Sequence, residues 1–125
     1  MGNTRNVEII LMLGSNSCQG EMIAAAQEML EDTFKQIRFS TCLWTDPIGM
    51  DGPQFLNCAA WAISSLPLEA VRQQLKAIEK TLGKSEEQCQ QGIVCIDIDL
   101  LQYDTIRMHE EDWERDYFRV LGLRN

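Results

Sequence analysis

The chain has 125 residues, which fits one domain with a single modest core. Its hydrophobic content of 45% and charged content of 24% are those of an ordinary soluble globular protein, and no stretch holds the roughly 18 apolar residues that a membrane span needs. A formal net charge of -8 argues against duplex binding, yet leaves room for a phosphate ligand wherever a metal reverses the local field.

The opening MGNTRNVEIILMLG has too short an apolar run for a signal peptide, and Asn6 stands where a myristoylation signal wants Ser or Thr. The expectation is a cytoplasmic protein with no nucleic-acid and no membrane partner. Val7 to Leu13 then reads as a buried strand ending at Gly14-Ser15-Asn16. Ile23, Ala26, Leu30 and Phe34 share one helical face, which predicts a helix over roughly Glu21 to Phe34. Ile37 to Trp44 alternates as a strand, and TDPIGMDGPQ, with two prolines and two glycines, is a loop.

Phe55 to Ser64 reads as a third strand. Leu68, Val71, Leu75, Ile78 and Leu82 come next at helical spacing, with Pro67 in the first turn and Gly83 as the C-terminal stop. KSEEQCQQG is loop-like, Val94 to Tyr103 is a fourth strand, and HEEDWERDYF has the composition of a short helix. The order β-α-β-β-α-β predicts a single α+β domain over residues 1–125 of ferredoxin-like type, an antiparallel sheet with two helices on one face and the other face free. Cysteines at 18, 42, 58, 89 and 95 form no CxxC pair, so Cys42, Cys58 and Cys95 are expected to be small buried hydrophobes.

Within the fourth strand, alternation sends Val94, Ile96, Ile98 and Leu100 toward the helices and Cys95, Asp97, Asp99 and Leu101 to the free face. Two carboxylates that close repel, and one holds a proton unless a cation intervenes. Carboxylate oxygens are the ligands Mg²⁺ prefers. A solvated edge-strand face would look the same, so an enzyme and an interaction module stay equally open on the residues alone.

Five stretches in order change this. LMLGSN closes the first strand, TDPIG and PQFLNCA frame the long loop, IEKTLGK ends the second helix, and IDIDLL forms the fourth strand. Together, over about residues 7–104, they resemble the 6-hydroxymethyl-7,8-dihydropterin pyrophosphokinase family. The resemblance implies transfer of a diphosphate from ATP to the hydroxymethyl group of a reduced pterin, with two Mg²⁺ ions held by Asp97 and Asp99. It implies a pterin pocket at Thr45, Pro47, Ile48, Phe55 and Asn57, where an aromatic face stacks and an amide pairs with the ring edge. It also implies nucleotide contacts at Glu79, Lys84, Leu100, His109 and Arg115. Oligomeric state stays open.

The chain also departs from the family pattern. Where that family has R-x-R and W-G-P-R ahead of the aspartates, this chain reads KSEEQCQQGIV, with Gln91 at the tryptophan and Val94 at the last arginine. Only Lys84 keeps the sign, and Glu86 and Glu87 oppose it. Losing two charge-assisted contacts of roughly 1.5 to 3 kcal/mol each costs on the order of a hundredfold or more in affinity or rate. Arg107, Arg115, Arg119 and Arg124 are the cations left to compensate. His109 and Arg115 match the family's C-terminal His and Arg only if residues after Tyr103 are deleted; without that gap, His109 falls in the preceding turn. Three readings result: a shortened diphosphokinase, a non-catalytic pterin- or nucleotide-binding homologue, and an interaction module.

Overall fold

The computed structural model describes residues 5–47, 49 and 51–123, except the side chains of residues 86 and 89. Two long strands make its centre. β1 (Val7–Ser15) and β4 (Phe55–Ser64) pair antiparallel along their whole length, from Val7 opposite Ser64 to Ser15 opposite Leu56. Both are nearly continuous apolar runs because both of their faces are covered.

β5 (Asp97–Tyr103) pairs with the other edge of β1, and β6 (Ile106–Arg107) pairs with β5. On the far side, β2 (Gln36–Phe39) and β3 (Leu43–Thr45) both pair with β4. The order β2-β4-β1-β5-β6, antiparallel throughout, makes this an α+β architecture with strands and helices alternating along the chain.

One face carries α1 (Gln19–Thr33) and α2 (Leu68–Thr81). Ile23, Ala26 and Leu30 of α1 and Val71, Leu75 and Ile78 of α2 pack against Ile9, Leu11, Leu13, Cys58, Ala60, Ile98 and Leu100 of the sheet and Ile96 just ahead of β5. These are the stripes that the periodicity picks out. α1 begins two residues earlier than predicted, and Phe34 lies just beyond it in extended backbone, its side chain still buried.

The opposite face is not free. A 3-10 turn (Glu110–Glu114) and α4 (Asp116–Val120) fold back over it, and Trp113, Phe118 and Leu121 pack on Met12, Ala59 and Leu101. The Trp113 Nε1–H donates to the Met108 carbonyl at 3.0 Å, and the Trp113 and Phe118 rings meet edge to face at 5.7 Å. The expected short helix is thus a 3-10 turn followed by one α-turn. Its aromatics face a strand that carries only alanine at its centre, which leaves room for rings.

Three further differences have local causes. The predicted second strand is broken: residues 40–42 face only residues 58–59, one residue too many on that side. Ser40 bridges the break, its N–H donating to the Ala59 carbonyl at 2.9 Å and its Oγ accepting from the Ala59 N–H at 2.8 Å. The extra residue leaves Cys42 exposed, whereas Cys58 is buried and Cys95 half-buried. The predicted loop after α2 holds a short helix, α3 (Glu86–Gln90).

Finally, β5 starts at Asp97 rather than Val94, because the Asn16 side chain takes over the pairing ahead of it. Asn16 Oδ1 accepts from the Val94 N–H at 2.7 Å, and its Nδ2 donates to the Gly92 carbonyl at 2.9 Å. The second aromatic layer is expected to be a working part of the core. Phe118→Ala should lower the unfolding free energy by about 3 kcal/mol, read as a lower urea midpoint at unchanged slope.

Candidate functional site

The register of β1 lines up a row of residues across three strands. Gly14 lies opposite Asn57 on β4 and Asp97 on β5, and Met12 lies opposite Ala59 and Asp99. A Cβ on Gly14 would lie 3.4 Å from Asn57 Oδ1 and 3.8 Å from the Phe55 ring, so the bare glycine keeps a hollow open there. The hollow is a cleft of about 250 Å³. Thr45, Phe55 and Asn57 form one wall, Arg115 and Tyr117 of the C-terminal layer form the other, and Asp97 and Asp99 stand at its end.

The break between β2 and β3 matters here. It moves Leu43 from the helix face, where an unbroken strand would put it, to the aromatic layer; Thr45, two residues on, lines the cleft on that same face. Asn57 Nδ2 donates to Thr45 Oγ1 at 2.8 Å and to the Leu43 carbonyl at 3.2 Å. A carbonyl only accepts, so the amide orientation is set, and Oδ1 is the atom left for a ligand. Asn57 therefore offers an acceptor, not the donor-acceptor pair that the sequence implied.

A second cleft, of about 460 Å³, opens on the other side of the same aspartates. α2 contributes Arg72, Lys76 and Glu79, the segment after it contributes Lys84, and Leu100 and His109 close it. Glu79 is buried, and its Oε2 accepts from the Ile98 N–H at 2.6 Å. Lys84 Nζ donates to Asp97 Oδ1 at 2.8 Å and lies 3.4 Å from Glu79 Oε2. Burial raises the Glu79 carboxyl above the usual range, against the lowering effect of the Ile98 hydrogen bond and the Lys84 charge. Burial pulls on Lys84 in the deprotonating direction, but its hydrogen bond to Asp97 and the two carboxylate charges hold its pKa above the ordinary value.

The Asp99 carboxyl is pushed up to about 7, first by burial and then by the Asp97 charge, with His109 acting in the opposite direction. Two crowded carboxylates, one raised by burial and by the charge of the other, form a donor set that suits a hard divalent cation. Among the described residues, three ligating side chains come within 4.8 Å of one another at His109, Glu111 and Asp112, beside the aspartate pair rather than on it. There Asp112 Oδ1 already accepts from Arg115 Nε at 2.9 Å.

Asp97 and Asp99 border both clefts. Thr45, Phe55 and Asn57 line the first, and Glu79, Lys84, Leu100 and His109 line the second. Arg115 lies in the first cleft, not with the other residues expected to touch a nucleotide. Pro47 is half-buried and borders neither of these clefts, and Ile48 and Arg124 lie outside the described residues. Sequence reasoning missed Gly14, Asp46 and Asp112 in the first cleft, and Glu69, Arg72, Gln73 and Lys76 in the second. The α2 group had a signal, since these residues and Glu79 form a polar stripe at helical spacing beside the apolar one.

A carboxyl raised in the folded state sets a sign. Its stabilising effect is fully present below the unfolded value near 3.8 and is lost as pH rises through about 7. Urea unfolding in metal-free buffer between about pH 5 and about pH 8 should show this loss in the native chain, and Asp99→Asn should lack that component.

Comparison with known proteins places these clefts in context. The family model described as 7,8-dihydro-6-hydroxymethylpterin-pyrophosphokinase matches residues 10–123. The folate synthesis bifunctional protein of Arabidopsis thaliana is 29% identical over an alignment 121 positions long, gaps included, that covers 88% of this chain and 25% of that protein. The chain thus spans about a quarter of the curated relative that it matches.

Proposed function

Because the chain belongs to the 7,8-dihydro-6-hydroxymethylpterin-pyrophosphokinase family, we propose that it transfers a diphosphate from ATP to a 6-hydroxymethyl-dihydropterin. The observation that carries this reading is the placement of two clefts on either side of one aspartate pair. A group moving between two substrates needs both of them to reach one point, and Asp97 and Asp99 are the side chains shared by both clefts. The strand order, with β1 and β4 central, supports a ferredoxin-like frame as the scaffold.

In this reading the pterin lies in the first cleft. The Phe55 ring supplies a stacking face, and Asn57 Oδ1 accepts from a ring-edge N–H. ATP lies in the second cleft, its phosphates toward Arg72, Lys76 and Lys84. The pterin hydroxyl oxygen bonds to the β-phosphorus, the bond from that phosphorus to the oxygen bridging to the α-phosphate breaks, AMP leaves with that oxygen, and the hydroxyl proton goes to water. Asp97 and Asp99 would hold Mg²⁺, two ions by family analogy. When bound, the metal supplies charge neutralisation of the triphosphate and alignment of the attacking and leaving oxygens. The chain's own work is positioning: Gly14 keeps the hollow open, Asn57 and Thr45 hold its floor, and the aromatic layer closes it against water.

A second reading has its own support. Between Lys84 and Asp97 the chain has no Lys or Arg, and Lys84 is already paired with Asp97. A homologue that binds pterin without turnover would look like this.

Incubation with ATP, Mg²⁺ and 6-hydroxymethyl-7,8-dihydropterin separates the two. AMP formation that disappears in the Asp97→Asn, Asp99→Asn double variant supports transfer. Pterin binding by calorimetry with no AMP supports the second reading, and no binding of either substrate at millimolar concentration overturns both. Phe55→Ala should weaken pterin binding by up to about tenfold while leaving ATP binding unchanged.

A further inference from the structure

The cation at the junction of the two clefts belongs to the chain itself, and the end of α2 puts it there. Gly83 adopts φ +101, a left-handed conformation that other residues resist. Its N–H donates to the Lys80 carbonyl at 3.1 Å, and the Lys84 N–H donates to the Glu79 carbonyl at 3.0 Å. These two bonds make a Schellman closure, which fixes the Lys84 backbone one turn above Glu79. From this anchor the side chain reaches Asp97 Oδ1 at 2.8 Å, with Glu79 Oε2 at 3.4 Å. The side chain keeps 29% of its surface exposed, so it is held without being sealed in.

We propose that Lys84 is an exchangeable counterion. With the second cleft empty it occupies the Asp97 carboxylate; when a triphosphate enters, the ammonium swings onto the phosphate oxygens and releases Asp97 Oδ1 to a divalent cation. This rests on the reading of the clefts given under Proposed function. The geometry supports exchange in particular. Lys84 lines the same cleft as Arg72 and Lys76, so phosphate oxygens held by those two cations arrive within reach of a side chain that needs only rotamer changes to meet them. Glu79, fixed by the Ile98 N–H, stays behind as the second anion that draws the ammonium back when the phosphate leaves. Metal and triphosphate would then bind with positive coupling, because each removes the other's competitor.

The test uses Mn²⁺ alone and α,β-methylene ATP, in which the bond that would break is replaced, with binding read by calorimetry. Lys84→Met should bind Mn²⁺ about three- to tenfold more tightly than the native chain when no nucleotide is present. The same variant should bind the analogue about tenfold more weakly at saturating Mn²⁺. A side chain with only a structural role would not move the two affinities in opposite directions. Lys84→Arg should restore both values toward native, and Lys80→Met, which removes the same charge from an exposed position on α2, should change neither. Equal Mn²⁺ affinity in the native chain and Lys84→Met overturns the exchange. No Mn²⁺ binding in any of the four proteins overturns the metal reading of the aspartates itself, and the exchange with it.

Discussion

The site depends on the register of one strand. β1 is hydrogen-bonded on both edges, so each of its residues has a fixed neighbour on β4 and another on β5. That double constraint is what brings Asn57 and Asp97 to the two sides of Gly14, although they are 40 residues apart in the chain. A slip of one residue in either pairing would turn every side chain on the slipped strand to the other face. The buried stripe of Ile9, Leu11 and Leu13 against the helices forbids such a slip, so the core sets the geometry of the clefts.

Charge is distributed with the same economy. A chain at -8 places carboxylates beside one another at the junction of its clefts and answers them with one lysine from the end of a helix. Burial raises the carboxyls of both Glu79 and Asp99, and the Asp99 carboxyl, at about 7, is partly neutral near pH 7 in the unliganded junction. The aromatic layer contributes to this effect. Trp113 and Phe118 cover the sheet next to Asp99, and they remove water that would otherwise screen the pair.

Much of this was legible in the sequence, for identifiable reasons. Both long helices and the central strands announced themselves because one simple burial pattern governs each of them. The aspartate face of β5 followed from alternation alone, and Leu101 fell on that face as expected. What alternation cannot register is an inserted residue. The break at Ser40 and a second bulge in β5 beside Leu101 each reverse the parity of the residues beyond them, and so Tyr103 packs with the helices rather than beside Leu101. The covered second face was missed for a different reason. Trp113, Phe118 and Leu121 are spaced irregularly over a 3-10 turn and a single helical turn, and no fixed period picks them out. Arg115 went to the first cleft for the same reason, because the path of that segment is set by ring packing and not by its charges.

The break at Ser40 has a consequence for how the protein can change over time. Point substitutions around Thr41 and Cys42 meet mostly solvent, and they leave the pairing on either side intact. Loss of a single codon from this three-residue span would be absorbed in the same place. It would set two residues against residues 58–59 and make the strand continuous, with Leu43 still opposite Asn57 and Thr45 still opposite Phe55, so the Asn57 amide keeps its hydroxyl partner. Single-residue deletions, like replacements, are therefore genetic events that this part of the molecule absorbs without moving the rim of the cleft.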